Sequence, residues 1–277
     1  MAVHTSIEYL DSTLNIGVGC DGCELWTKKP VLQPDGTMKL IRTCYAGNLV
    51  DRYAGLPGWP VSFDTPTLFL HRLLSAENWQ DLRGSKRPDK PWLDGLPRII
   101  FLNDLGDTFT ASFPDDYLIT PAKELRGRKP LDVLAGLTAI IAMFTKRPDR
   151  MLKLFERVEC PQNIMPITSI TGPETAYRAA QVQKINARWK ALSVEPLLRG
   201  LGDAIALGEF DWVLAGAESG PNRRPPDFEG LRELVFRCSF LRRTRLFMKQ
   251  IDKIQEIPPD LLVRQVPAFT LGQAVFA

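Results

Sequence analysis

The sequence predicts an α/β protein built as a full or partial barrel of the eight-stranded β/α type. Short, continuous apolar runs are typical of strands that are buried on both faces of a parallel sheet. Helical patterns lie between several of these runs, and each run ends in polar residues. Alternating strands and helices favour right-handed crossover units, with a doubly wound open sheet as the alternative. The seven runs are residues 14–19, 98–107, 138–148, 164–171, 190–196, 211–220 and 245–250.

Two of the intervening segments have clear helical patterns. Residues 173–189 begin at Pro173, which suits a helix start, and continue with good helix formers. Residues 227–243 place Leu231, Leu234 and Cys238 three or four positions apart, which predicts one apolar helix face. Two further stretches lack such patterns. Residues 54–97 are rich in Pro and Gly and predict long loops around one helix near 68–74, and the tail 258–277 has no clear pattern.

Composition narrows the class of protein. The 277 residues are 44% apolar and 24% charged, which is typical of a globular chain, and we expect one domain over 1–277. The net charge of +3 neither demands nor excludes a polyanionic partner. No apolar run is long enough to span a membrane, so no membrane association is expected. Five cysteines form an odd set, which favours a reducing, cytoplasmic location over a disulfide framework.

Three cysteines form a candidate metal site. Cys20 and Cys23 are separated by two residues, just after the first apolar run, and 20 further residues separate Cys23 from Cys44. The intervening insert, 24–43, contains Pro34-Asp35-Gly36, a turn signal between two strand-like arms. A β-hairpin there would return the chain to its start and bring Cys44 beside the other two cysteines.

A set of three thiolate ligands favours some metal groups over others. A structural zinc site needs four protein ligands, and neither histidine of the chain stands at a recognisable zinc spacing. A [4Fe-4S] cluster that is held by three cysteines leaves one iron open, and S-adenosylmethionine chelates that iron in radical enzymes. Iron–sulfur therefore ranks slightly above zinc, and a redox dithiol ranks third. Cys160 and Cys238 lie inside apolar patterns and are interpreted as buried structural thiols.

Several motifs together resemble a phage-associated and bacterial family named after mycobacteriophage gene products thirty-seven and sixty-eight. That family is formally of unknown function and is similar to radical S-adenosylmethionine enzymes. The resemblance covers nearly the whole chain. In one place the sequence departs from the family, whose members usually have the last two cysteines close together, whereas here the insert separates Cys23 from Cys44. The motifs are LNIGVGC with TCYAG, then FLNDLGDTF, FTKRPDRM, SVEPLL, WVLAGAESGPNRRP and FMKQ.

The resemblance implies a partial β/α barrel of the radical S-adenosylmethionine type, with an N-terminal cluster-binding loop and the β-hairpin insert. It implies a [4Fe-4S] cluster on Cys20, Cys23 and Cys44, and reductive cleavage of S-adenosylmethionine to a 5′-deoxyadenosyl radical. Hydrogen abstraction from a substrate would follow, with a reductase or another electron donor as partner. A nucleic acid or nucleotide substrate, to be modified or repaired, is an inference by analogy at the level of the fold.

Polar residues at the strand ends are candidates for binding S-adenosylmethionine, because the carboxyl ends of barrel strands build the active site. We expect an aromatic ring against adenine, acceptors for the amino group, cations for the methionine carboxylate or a substrate phosphate, and groups for the ribose hydroxyls. The alternative is that these residues have only structural roles, as a core aromatic ring, helix caps and solvated surface charges. The candidates, in the order of the chain, are Tyr45, Asn103, Asp104, Lys146, Arg147, Ser193, Glu195, Glu218, Ser219 and Lys249.

Two functions follow for comparison. The leading one is a radical S-adenosylmethionine enzyme, with no catalytic side chain assigned. The alternative is a non-catalytic module in which zinc or an iron–sulfur cluster stabilises a surface that recognises nucleic acid or a partner protein. A metal-dependent hydrolase is disfavoured, because His4 and His71 form no metal-ligand pattern.

Overall fold

A seven-stranded parallel sheet, curled into a half-barrel, forms the centre of the computed structural model, which describes residues 2–219, 223–251 and 255–271. Every neighbouring pair in the sheet is parallel. The strands follow chain order from one edge to the other, without the reversal that defines a doubly wound sheet. In sheet order the strands are β1 (Ser12–Leu14), β6 (Arg98–Leu102), β7 (Ala139–Thr145), β8 (Ile164–Ser169), β9 (Ala191–Val194), β10 (Trp212–Gly216) and β11 (Arg245–Gln250).

Two antiparallel pairs lie outside this sheet. β3 (Lys28–Leu32) and β4 (Met38–Arg42) form a hairpin in which Lys28 faces Arg42, which confirms the predicted insert. β2 (Gly17–Val18) pairs with β5 (Thr67–Leu68).

The prediction of one strand over 14–19 is wrong, because the chain leaves the large sheet after Leu14. The backbone N–H groups of Ile16 and Gly17 are hydrogen-bonded to the side chain of Asn103 instead of to a neighbouring strand.

Helices connect most of the parallel strands, as the sequence predicts. The predicted helix over 173–189 is shorter and is preceded by a 3-10 turn at Pro173–Thr175. The helix over 227–243 begins where Asp227 accepts a 2.9 Å hydrogen bond from Gly230 N, and the expected helix near 68–74 starts four residues later. The helices are α1 (Tyr45–Tyr53), α2 (Arg72–Ala76), α3 (Pro130–Ala135), α4 (Pro148–Arg157), α5 (Tyr177–Gln183) and α6 (Phe228–Ser239).

The sheet separates two apolar clusters. Along β7, Ile141 and Met143 belong to a cluster that includes residues of α3, α4, α5 and α6. Ile140, Ala142 and Phe144 alternate with them and belong to a second cluster, which therefore lies on the opposite face. All seven residues of β7 are buried, as expected for a parallel strand that is covered on both sides.

Aromatic rings dominate the second cluster. Trp212 contacts Tyr9, Phe247 and Phe269 edge-on, with ring centroids 5.5–6.3 Å apart. Phe269 is buried, so part of the tail 258–277 contributes to the core, although its sequence has no periodic pattern. Residues 272–277 of that tail lie outside the described part. Within the described residues, no helix is long and apolar enough to cross a membrane.

Candidate functional site

A cavity of about 160 Å³ opens at the carboxyl ends of the parallel strands. Tyr9, Phe101 and Phe144 contribute apolar wall, and the Phe101 and Phe144 rings stack with centroids 4.0 Å apart. Polar side chains from the ends of β6, β7, β8, β9, β10 and β11 complete the lining. Eight of the ten candidate cofactor-binding residues line it, namely Tyr45, Asp104, Lys146, Ser193, Glu195, Glu218, Ser219 and Lys249.

Asn103 is placed differently. Its Oδ1 accepts hydrogen bonds from Ile16 N at 2.8 Å and Gly17 N at 2.9 Å, and its Nδ2 donates to Thr108 Oγ1 at 3.1 Å. The side chain is buried, and it does not line the cavity. Its amide therefore joins β6 to the segment that leads into the cysteines.

Arg147 holds the segment that carries Cys20 and Cys23. Its Nη2 donates to Gly22 O at 2.5 Å and pairs with Asp21. Its Nη1 lies 3.6 Å from Cys20 Sγ and 3.4 Å from Asp107 Oδ2. The guanidinium is thus engaged by protein groups, and it is not among the cavity-lining residues.

Lys146, the neighbouring cation, lines the cavity. Its backbone N–H donates to Asp107 Oδ2 at 2.9 Å, which fixes the end of β7. Within the described part of the chain, its Nζ has no hydrogen-bond or ion-pair partner. Its charge is therefore available to an anionic group in the cavity.

Glu195 and Lys249 form an ion pair across the cavity wall, with Lys249 Nζ 2.5 Å from Glu195 Oε1. Each side chain is 14% exposed. The same carboxylate oxygen accepts a weaker bond from Gln250 Nε2 at 3.4 Å, and the ammonium lies 5.7 Å from the centre of the Tyr9 ring. The Lys249 ammonium therefore lies beside an aromatic ring of the cavity wall.

Asp104 and Tyr45 form another part of the lining. Tyr45 Oη donates to the backbone oxygen of Asp104 at 2.8 Å, and Asn15 Nδ2 donates to Asp104 Oδ1 at 2.6 Å. Burial raises the pKa of the Asp104 carboxyl, although the Asn15 contact opposes the shift. Glu218 is engaged differently, because Arg224 pairs with both of its carboxylate oxygens, at 2.7 and 2.9 Å.

The cysteine loop, defined here as residues 19–25, packs closely on the residues that follow β6. Gly19 N donates to Leu105 O at 3.0 Å. A Cβ on Gly106 would lie 2.5 Å from Gly19 O, so only a residue without a side chain permits this approach. Gly19 itself has a φ of 96°. The contact between the two glycines therefore fixes the position of Cys20 relative to the end of β6.

The hairpin returns the chain to the cysteine loop at Thr43, directly before Cys44. Thr43 N donates to Thr27 O at 2.9 Å, and Thr43 Oγ1 donates to Leu25 O at 2.6 Å. Cys44 lines the cavity and immediately precedes α1. Cys20 and Cys44 both pack in the small apolar cluster around Phe63.

The thiols of Cys20 and Cys23 have environments that favour the neutral form. Burial raises the pKa of Cys20, and it raises the pKa of Cys23 to about 11, so that neither ionises readily without a cation. Within the described ranges, no three His, Cys, Asp or Glu side chains come together as a metal-binding group. The donor set nevertheless fits an iron–sulfur cluster in kind, since thiolates are its usual ligands.

A family model described as "Protein of unknown function (DUF5131)" matches residues 4–260. The chain belongs to the DUF5131 family. The match includes the cysteine loop, the hairpin and all seven strands of the half-barrel, so the cavity lies wholly within the DUF5131 region. No curated protein and no solved structure gives a significant match.

The DUF5131 fold also brings together a pair that sequence reasoning missed. Glu24 follows Cys23 directly and pairs with Arg178 of α5, with both oxygen–nitrogen distances 2.8 Å. Burial opposes ionisation of Glu24, but the hydrogen bonds from Arg178 outweigh it and lower its pKa to about 2. The partners are 154 residues apart, and no local pattern in the sequence links them.

Proposed function

We propose that this DUF5131 protein is a radical S-adenosylmethionine enzyme that acts on a nucleic acid or nucleotide. In this proposal Cys20, Cys23 and Cys44 hold a [4Fe-4S] cluster. The observation that carries it is the shared cavity: Cys44 lines the same space as eight candidate cofactor-binding residues, seven of which lie at the ends of parallel strands. The half-barrel with its polar strand ends fits this class of enzyme, but the fold alone assigns no activity.

When bound, such a cluster supplies the electron for reductive cleavage of S-adenosylmethionine to a 5′-deoxyadenosyl radical. The residues of the chain bind and orient S-adenosylmethionine. Lys146 offers its ammonium to the methionine carboxylate, and Asp104 accepts hydrogen bonds from the methionine amino group. Ser193 and Glu195 face the ribose hydroxyls. A reductase or another electron donor completes the system.

The apolar wall favours a substrate with a flat ring. Phe101 and Phe144 stack nearly parallel, at an interplanar angle of 20°, and the Lys249 ammonium provides a donor beside Tyr9. A nucleobase has both an aromatic face and a hydrogen-bonding edge, so it matches this combination. These features support a nucleobase as the reacting part of the substrate.

Anaerobic reconstitution tests the cluster. The wild-type protein should bind about four irons per chain, and C20A, C23A and C44A should each lose them. C160A and C238A are the matched controls, since these thiols are buried elsewhere, and both variants should keep the iron. Stoichiometric zinc with no iron after reconstitution would contradict the proposal.

Product analysis separates the enzyme from the alternative metal-binding module. With dithionite, the reconstituted protein should convert S-adenosylmethionine to 5′-deoxyadenosine, whereas a module that only binds metal should not. For the substrate, DNA and RNA oligonucleotides should bind with an affinity that falls as salt rises. Absent or salt-independent binding, together with no stimulation by free nucleotides, would remove the nucleic-acid part of the proposal.

A further inference from the structure

We propose that Arg178 is a positioning residue that, through Glu24, fixes the cysteine loop against the end of β8. This inference rests on the proposed function, since it assigns a purpose to the position of Cys23. It assigns no chemical step to either residue. The pair is distinct from the cavity lining, because neither Arg178 nor Glu24 is among the residues that form the cavity wall.

The contact has the geometry of a strong ion pair. Arg178 Nη1 and Nη2 donate to the two oxygens of Glu24 at 2.8 Å each, which is the bidentate arrangement. Nη1 also donates to Ser169 O at 3.1 Å, at the last residue of β8. Thr171 Oγ1 donates to Glu24 Oε1 at 3.2 Å. The carboxylate is therefore bound to two groups of the barrel at once.

Burial distinguishes this pair from ordinary surface ion pairs. The side chain of Arg178 is 8% exposed and that of Glu24 is 25% exposed. Exposed ion pairs contribute little, whereas loss of Glu24 would leave the buried guanidinium of Arg178 without its carboxylate, and loss of Arg178 would leave Glu24 without its bidentate partner. The loss of either residue should therefore release the loop at this point.

The position of Glu24, directly after Cys23, explains why loss of Arg178 should affect the cysteine loop. Arg147 holds the other side of the loop, at Asp21 and Gly22. Cys23 stands between these two attachments, and its backbone oxygen accepts a 2.9 Å bond from Trp26 N. With Arg178 removed, the loop keeps the Arg147 contact before Cys23 and the hydrogen bond from Thr43 to Leu25 O, but it loses the ion pair at Glu24, directly next to Cys23. Cys23, which is already more exposed than Cys20, should then become more accessible than it is in the wild-type protein.

The test measures thiol accessibility in the metal-free protein. R178M removes the guanidinium, and E24Q removes the negative charge, so that E24Q serves if R178M fails to fold. The labelling rate of each cysteine by a maleimide, read by peptide mass spectrometry, should rise about tenfold at Cys23, as local opening predicts. R199M is the control, because the Arg199–Glu174 ion pair is exposed, with both side chains more than half exposed.

Cys160 and Cys238 are internal references, because both are buried in the main core. Labelling that rises at Cys23 but not at these two supports the positioning role, and R178K should restore part of the protection. An equal rise at all five cysteines, or no rise at Cys23, would overturn it. Iron retention is measured separately. Wild-type protein that binds no iron after reconstitution would refute the proposed function. A selective rise in labelling at Cys23 would still establish that Arg178 positions the cysteine loop.

Discussion

Asn103 and Gly17 are joined by a 2.9 Å hydrogen bond from the backbone N–H of Gly17 to Oδ1 of Asn103. Asn103 has a φ of 64°, in the left-handed region that asparagine tolerates better than most residues. Asn103 directly follows β6, and its side chain accepts hydrogen bonds from the segment that follows β1. One side chain thus decides where the chain leaves the sheet and where the approach to Cys20 begins.

We expect N103A to destabilise the protein by about 2–4 kcal/mol, because two buried backbone N–H groups lose their acceptor. Urea unfolding measures this loss. N78A is the control, since the Asn78 amide makes one exposed bond to Leu74 O at 3.3 Å, and its effect should stay within about 0.5 kcal/mol. Full stability of N103A with weakened S-adenosylmethionine binding would instead make Asn103 a ligand-binding residue.

The close approach of Gly106 to Gly19 gives a second prediction. A methyl group on Gly106 would meet backbone oxygen at 2.5 Å and backbone nitrogen at 3.1 Å, neither of which moves freely. G106A should therefore displace the cysteine loop, cost about 1–3 kcal/mol of stability and lower the iron content after reconstitution. Unfolding curves and iron analysis check both effects.

Gly136 offers a matched control for G106A. Its Cβ would lie 3.6 Å from the nearest backbone oxygens, which is ordinary contact. Its φ of −77° suits alanine. G136A should therefore leave iron content unchanged. Equal behaviour of the two variants would show that the Gly19–Gly106 contact does not position the loop.

Cys160 predicts a dependence of stability on alkaline pH. Burial raises its pKa to about 12 in the folded protein, whereas a thiol in the unfolded chain ionises near pH 9. Between these values the unfolded state has lost its proton and the folded state has not. The free energy of unfolding should therefore fall as pH rises from 9 to 12, by at most about 1.4 kcal/mol per pH unit from this group.

C160A isolates this effect from the other groups that titrate at high pH. The free energy of unfolding of both proteins is measured by urea at pH 8, 9 and 10. At pH 8 the value for C160A should be lower than the wild-type value, because packing around the thiol is lost. Its decline with pH should be shallower. Parallel pH profiles for the two proteins would mean that Cys160 ionises equally in both states.

The parallel sheet was predictable because its central strands are continuous apolar runs. The run 138–148 contains β7, whose seven residues are all buried. The first strand was misplaced because its end depends on Asn103, 86 residues away from Gly17. Apolar periodicity records which residues are buried, but it does not record such a side-chain capture of the backbone.

The cavity lining was predictable for a similar reason, since polar residues at the ends of parallel strands meet at one edge. The sequence does not show which of two adjacent residues in one loop lines the cavity. Lys146 and Arg147 carry the same charge, yet the turn into α4 leaves Lys146 at the cavity and directs Arg147 to the cysteine loop. The Glu24–Arg178 pair needs the packing of α5 against the loop, which no local pattern encodes.

That division between the two cations gives the last prediction. K146M should leave stability and iron content unchanged and weaken equilibrium binding of S-adenosylmethionine to the reconstituted protein about tenfold, the typical cost of one charge-assisted hydrogen bond. R147M should instead lower iron content, because it releases Asp21 and Gly22. K153M, an exposed change on α4, is the control and should match the wild type in all three measurements. Unaltered S-adenosylmethionine affinity in K146M would rule out its ammonium as the carboxylate-binding group, since the cavity offers Lys249 only as a partner of Glu195.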